Sequence, residues 1–352
     1  TARWGLSCTQ AIPVSLFIRQ LIWGGLAISI IVLVGGIDYR LLRDEGRVVL
    51  TFYLLGISAL VLLVLAGSRV RGATSWFQLP FATIEPIEFA KIILVILLAK
   101  YFSSRHIELY GLRHIIISGC YAFIPAFLAM LQPDLGSAIV VLAVWFGFIT
   151  LSGIRFRHFL LLCAVALLTS FFLWTYSLSP YQKDRIRSFL YPQRDPLGTS
   201  YNVRQSVIAV GSGRLLGKGL GYGTQSHLKF LPEAENDFIF AAIVEEWGFV
   251  GGTVLLAVFG FLLWRIMLIG FRAGDNFARF FSLGLALLIF IQLIIHAGMN
   301  MGLLPVTGLT LPFVSYGGSS LISLSLGIGL LQSIALRARS SVAEEYSSFL
   351  AF

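Results

Sequence analysis

Chemistry-bearing side chains are densest between residues 179 and 237. This segment carries Lys183, Arg185, Arg187, Arg194, Arg204, Arg214, Lys218 and Lys229 against Asp184, Asp195, Glu233, Glu235 and Asp237, eight bases and five acids, a net of +3. Tyr181, Phe189, Tyr191, Tyr201, Tyr222 and Phe230 are interleaved among them. Disordered linkers are poor in aromatics, so the segment is expected to be structured. Two readings are open: a lid whose bases meet anionic lipid, or a site for a phosphorylated substrate. Asp237 closes the segment, directly before the apolar run FIFAAIV. Asp is a favoured helix N-cap. A carboxylate facing a basic loop is equally suited to take a proton from a sugar hydroxyl or to hold a divalent cation such as Mg or Mn. The two roles are compatible.

Further ionisable groups sit inside apolar runs. Glu88 and Lys91 are three residues apart, so on a helix their side chains meet. Pro86 suits a first helical turn, and Glu88 lies near that positive end. A self-neutralising pair is the plainest reading, yet ionisable residues within a membrane point to function. Glu245 and Glu246 fall about two turns beyond Asp237, too deep for caps. His296 reads as a packing residue. No His, Cys or Asp cluster has metal-site spacing. The stretch GSGRLLGKGLGYGT (211–224) contains a GxGxxG pattern, but no strand-then-helix unit frames it and Lys218 precedes Gly219 rather than Ser or Thr, so it is no nucleotide loop. Its glycines instead allow the backbone to approach a neighbour or a phosphate closely.

The elements that carry these residues are membrane helices. The chain is 57% hydrophobic and 12% charged, against about a quarter charged in soluble domains. The apolar runs are continuous, which argues for helices over a β-barrel. Nine helices are expected at 17–37, 47–66, 86–102, 114–131, 136–152, 158–178, 238–264, 278–298 and 318–336, forming one integral membrane domain over 1–352 with a long structured loop at 179–237. Pro305 and Pro312 mark a further apolar stretch expected to be broken or re-entrant, tolerable only where protein or a watery cavity covers it. The net charge of +9 does not indicate nucleic acid, because most of the 26 Lys and Arg lie between apolar runs, where they set topology or meet lipid head groups. Arg40, Arg43, Arg47, Lys100, Arg105, Arg113, Arg155, Arg157, Arg265, Arg272, Arg279, Arg337 and Arg339 fall on one side; the opposite short gaps hold only Arg69 and Arg71. The positive-inside rule puts the first set and the C-terminus in the cytoplasm, and Thr1, 67–84 and 179–237 outside. An external start with an odd helix count leads to the expectation of one more helix upstream. Cys8, Cys120 and Cys163 form no disulfide framework.

Several blocks resemble the SEDS (shape, elongation, division and sporulation) family. FLPEAENDFIFAAIVEEWGFVG at 230–251 is similar to its signature FLPE-x-x-x-DFIFA-x-x-x-EE-x-G-x-x-G. GATSW (72–76), EPIEFAK (85–91), QPDLGS (132–137), DPLG (195–198), Gln205-Ser206 and LPFVSYGGS (311–319) follow in the family's order. The likeness covers almost the whole chain. The 211–228 stretch resembles the elongation members more than the division members. Ser75 stands where an Arg commonly precedes the Trp, and Glu235-Asn236 replaces the usual His-Thr, so the site is less basic.

The resemblance implies a ten-helix fold that this chain enters at the tail of the first helix. It implies a peptidoglycan glycosyltransferase that joins lipid II by β-1,4 bonds with inversion and releases undecaprenyl pyrophosphate in the bacterial cytoplasmic membrane. The reaction needs a base for the acceptor 4-hydroxyl and positive charge for the leaving pyrophosphate. Under this resemblance Asp237 is the base or a metal-positioning carboxylate, though no DxD motif holds a metal. Arg204 and Lys218 face the pyrophosphate, Glu88 and Lys91 line the cavity, Trp76 meets sugar or partner, and Glu245 and Glu246 support the site. The implied partner is a class B penicillin-binding protein, a transpeptidase. A lipid II flippase, a division-type polymerase and a non-catalytic scaffold are the rival readings.

Overall fold

The computed structural model describes residues 14–67, 76–78, 83–104, 112–177, 180–191, 199–228, 230–231 and 233–349. Thr1, Cys8, Arg69, Arg71, Arg105, Arg194, Lys229 and the motif residues 72–75 and 195–198 lie outside them.

The protein is an all-α, multi-pass membrane bundle. Its helices are α1 (Val14–Gly36), α2 (Arg40–Asp44), α3 (Gly46–Ala66), α4 (Pro86–Ser103), α5 (Leu112–Leu131), α6 (Leu135–Leu151), α7 (Phe156–Phe172), α8 (Pro180–Leu190), α9 (Thr199–Ser212), α10 (Thr224–His227), α11 (Ile239–Arg272), α12 (Asn276–Asn300) and α13 (Gly318–Phe349). A two-stranded antiparallel pair, β1 (Phe77–Gln78) and β2 (Thr83–Ile84), precedes α4 with Phe77 opposite Ile84. Each of the nine expected helices has a counterpart: α1, α3, α4, α5, α6, α7, α11, α12 and α13. Seven of these are long and apolar enough to cross a membrane. Of the other two, α4 carries Glu88, Lys91 and Lys100, and α6 has 17 residues.

Without a hydrophobic drive between helices in lipid, close packing and polar contacts hold the bundle. At its centre α12 packs against α4, α6 and α11. Phe277, Phe281, Leu285, Leu288 and Ile289 of α12 are buried there. Tyr39 and Phe277 stack, as do Phe277 and Phe281. By contrast α7 has no fully buried residue: Leu162 packs on the core and Phe159 against Phe146, and the rest of its circumference is left for lipid or a partner.

The predicted ends hold where hydropathy changes, but two helices overrun them. α11 continues to Arg272 and α13 to Phe349. Apolar run length marks the membrane span; a helix whose hydrogen bonds are already formed continues into water past it. The long loop is structured, carrying α8, α9 and α10. The 301–317 segment is irregular, and its Leu309, Leu311 and Ser315 are buried, which is how non-helical backbone is accommodated at this depth.

Candidate active site

Three consecutive carbonyls before α11 are taken up by the 300–316 region. Tyr316 N–H donates to the Glu235 carbonyl at 3.0 Å, Ser315 Oγ to that of Asn236 at 2.8 Å, and Asn300 Nδ2 to that of Asp237 at 3.0 Å. Asn300 is fully buried, and its Oδ1 also accepts from the Ala241 N–H at 3.1 Å. The backbone of 235–237 is thus pinned from one side. The N-cap position of α11 falls on Phe238, so the Asp237 side chain is not what occupies it.

The Asp237 carboxylate faces Gly308. A β-carbon placed on Gly308 would lie 3.8 Å from Asp237 Oδ2 and 3.7 Å from Arg185 Nη1. Arg185 Nη1 also approaches the Val306 carbonyl, at 3.5 Å. Arg185 comes from α8, Asp237 from the start of α11, and the two converge over a turn whose φ of +75° suits glycine. A side chain there would fill the space between them. The loop's net charge was legible; that Arg185 is the base opposite Asp237 was not. The amphipathic α8, with Ile186 and Phe189 spaced as one face, was the available signal, but it does not distinguish Arg185 from its charged neighbours.

Arg204 is exposed on α9. Lys218 is engaged elsewhere: its Nζ lies 2.7 Å from Glu245 Oε1. Glu245 is fully buried and accepts in addition from Gln225 N–H at 3.0 Å, Ser226 N–H at 3.2 Å, Thr224 Oγ1 at 3.3 Å and Ser226 Oγ at 3.2 Å. These donors gather the whole 218–226 loop onto one carboxylate.

That loop also repairs a break in α11. Gly248 has φ +70° and ψ −167°, which interrupts the helix and frees backbone groups on both sides. The carbonyls of Glu245 and Glu246 accept from the N–H groups of Lys218 and Gly219, both at 3.0 Å. The N–H groups of Phe249 and Val250 donate to the carbonyls of Arg214 and Leu215 at 2.8 and 3.1 Å. Glu246 is half-buried beside the break. The glycine-rich stretch is therefore a plug for a discontinuous helix. The segment from Phe249 to Arg272 remains long enough for a core of about 30 Å.

A second polar cluster lies at the start of α4. Lys91 Nζ donates to Glu88 Oε1 at 2.6 Å, with both side chains buried. Burial first, then the nearby Glu88 and Asp134 carboxyls, hold the Glu85 carboxyl well above the ordinary range; Lys91 and a hydrogen bond from Trp76 act the other way. Asp134 caps α6, accepting from the Ser137 N–H at 3.0 Å. The two clusters share a wall. A β-carbon on Gly136 would fall 2.8 Å from the Thr307 carbonyl, so the start of α6 lies flush against the turn that carries Gly308. His296 supports that wall from below, its Nδ1–H donating to the Leu309 carbonyl at 2.8 Å. Glu88, Lys91 and Trp76 thus belong to one cluster and Asp237 to the other, with Lys218, Glu245 and Glu246 at the helix break. Among the described residues no group of three His, Cys, Asp or Glu side chains could hold a metal ion. A carboxylate opposed by a guanidinium is a poor donor set for a divalent cation.

A family model described as "Cell cycle protein", covering FtsW, RodA and SpoVE, matches residues 6–340. Stage V sporulation protein E of Bacillus subtilis is 37% identical over 324 residues, covering 91% of this chain and 87% of that protein. Peptidoglycan glycosyltransferase MrdB of Escherichia coli is 41% identical over 284 residues, covering 80% of this chain and 76% of its own. A chain from a solved peptidoglycan synthase complex, described for its coordination of polymerization and crosslinking, superposes with a TM-score of 0.77 at 32% identity, covering 93% of this chain and 91% of its own. The signature blocks, the bundle and these relatives agree: the chain belongs to the FtsW/RodA/SpoVE family.

Proposed function

We propose that this chain is a peptidoglycan glycosyltransferase that polymerises lipid II on the outer face of the cytoplasmic membrane. The observation that carries the reading is the convergence of Asp237 and Arg185 over the Gly308 turn, on a backbone pinned by Asn300 and Ser315. The arginine distribution supports an orientation with 179–237 outside and the C-terminus in the cytoplasm.

Asp237 takes the proton from the acceptor 4-hydroxyl. The oxygen attacks the donor's anomeric carbon, its bond to pyrophosphate breaks, and undecaprenyl pyrophosphate leaves with the electron pair. One in-line displacement turns an α-linked donor into a β-1,4 product. Arg185 offsets charge on the leaving group; a guanidinium suits this because it binds phosphate oxygens bidentately. Glu88, Lys91 and Trp76 line the neighbouring wall, and the exposed Arg204 is a further cation for the pyrophosphate. Lys218 acts through Glu245, holding the loop beside the site. A divalent cation, if used, would have to be brought by the pyrophosphate.

The glycosyltransferase MrdB and the synthase complex that coordinates polymerization and crosslinking support a polymerase working beside a class B penicillin-binding protein. The 211–228 stretch favours the elongation role over the division and sporulation roles. Purified protein, with and without its transpeptidase, is incubated with lipid II and glycan growth followed on gels. Asp237→Asn is expected to lose about 10²–10⁴-fold in rate and Arg185→Gln about 10²-fold. Equal polymer from Asp237→Asn would remove the base; none from the natural chain would favour a flippase, tested by lipid II movement across vesicles.

A further inference from the structure

A cavity of about 180 Å³ lies between the end of α11 and the start of α12, at the membrane face opposite Asp237. It is lined by Met267, Gly270, Phe271, Arg279, Phe280 and Ser282 among others. Pockets that enclose a whole small molecule run to roughly 300–1,000 Å³. This one is smaller and flanked by the exposed Phe271 and Met267, so it suits part of a long molecule lying against the bundle.

Its polar side chains are Asn276, Arg279 and Ser282. Ser282 is fully buried, and its hydroxyl has no partner among the described residues. It closes the floor of the cavity, leaving the contacts to Arg279 and the apolar walls. Arg279 donates from Nε to the Ala273 carbonyl at 3.2 Å, which fixes its guanidinium at the cavity mouth. The one acid of this turn, Asp275, is already committed. It accepts from the Ala278 N–H at 2.9 Å and from Tyr39 Oη at 2.6 Å, and Arg43 stands 3.9 Å away. Burial, with Asp275 beside it, pushes the Tyr39 hydroxyl up to about 12, so it remains a donor to that carboxylate. Arg279 therefore presents uncompensated positive charge at the mouth of an apolar slot.

We propose that this cavity seats an anionic phospholipid of the adjoining leaflet. The phosphate lies on Arg279, and the first methylenes of an acyl chain fill the slot between Met267, Phe271 and Phe280. Basic pockets between membrane helices hold anionic head groups in this way. The proposal is independent of the glycosyltransferase reading.

The test uses the full chain in vesicles of phosphatidylethanolamine and phosphatidylglycerol, extracted gently and weighed by native mass spectrometry. The natural chain is expected to retain phosphatidylglycerol. Arg279→Gln lowers that retention about fivefold, the value of one basic residue at the surface. Arg265→Gln, an exposed arginine outside the cavity, retains it. Leu283 also lines the slot, and Leu283→Trp, which narrows it, lowers retention at unchanged thermal stability. Equal losses for Arg279→Gln and Arg265→Gln would reduce the effect to diffuse attraction and overturn the site. Retention unaffected by Arg279→Gln would overturn it too. Displacement of the lipid by excess inorganic phosphate would assign the arginine to a free anion and overturn the lipid assignment.

Discussion

Gly217 and Gly248 meet backbone to backbone. A β-carbon on Gly248 would lie 2.3 Å from the Gly217 nitrogen, and one on Gly217 would lie 2.0 Å from the Glu246 carbonyl oxygen. Both residues have positive φ, +82° and +70° respectively. The approach lets four loop-to-helix backbone bonds form across the break in α11. Gly248→Ala is therefore expected to lose at least 2 kcal/mol, roughly the cost of a left-handed non-glycine residue plus the clash. The readout is thermal unfolding in detergent. Gly260→Ala, whose β-carbon meets nothing within 4 Å, is the control and should be neutral or slightly stabilising. Equal midpoints for the two variants would mean that the plug bends away freely.

Much of this architecture was legible beforehand. Continuous apolar runs are unambiguous, so the nine helices were placed; α11 and α13 overrun their expected ends because a formed helix continues through charged residues such as Arg265 and Arg272. The pairing of Glu88 with Lys91 followed from i, i+3 spacing. Partners distant in sequence were not legible. Lys218 reads as one more loop cation until Glu245, 27 positions on, is seen to bind it. Asn300 and Ser315 had no periodic or charge signal, yet they fix the backbone around Asp237.

The Lys218–Glu245 pair has unequal members: the lysine is 27% exposed and the carboxylate 0%. Removing the lysine leaves four other donors on Glu245, whereas removing the carboxylate orphans the donors of the 224–226 turn. Glu245→Ala should therefore cost about 3–5 kcal/mol, the usual penalty for breaking a buried ion pair, and Lys218→Met clearly less. Unfolding midpoints of the two variants check the order. Polymerisation should fall further for Glu245→Ala, because the loose loop lies beside the site. A larger loss for Lys218→Met would show that the cation, not the hydrogen-bonded turn, carries the contact.

Lys91 is the cation of a cluster that holds Glu85, Glu88 and Asp134. Lys91→Met should lower the unfolding midpoint more than Glu88→Gln, since it leaves three carboxyls facing one another. The loss should reach about 3–5 kcal/mol, the range for an uncompensated buried charge. The double variant Glu88→Gln/Lys91→Met is expected to recover part of it, a positive coupling measurable by a double-mutant cycle. Additive losses would show that Lys91 does not neutralise Glu88.

Glu85 gives that cluster a pH dependence of known sign. Its carboxyl is held above the ordinary value of 4.5 by burial and by Glu88 and Asp134. The folded chain therefore keeps this proton while the unfolded chain releases it. A state that binds more protons loses relative stability as pH rises, so this contribution falls from pH 4.5 upward until the folded group ionises. Glu85→Gln removes the titration and keeps a neutral side chain that can still accept from Trp76. The variant should unfold at a higher temperature than the natural chain at neutral pH, and the gap should shrink toward acid. Midpoints measured across the acid-to-neutral range in one detergent decide it. A gap that is constant with pH would mean that Glu85 ionises alike in both states, and a gap that grows toward acid would reverse the assigned direction.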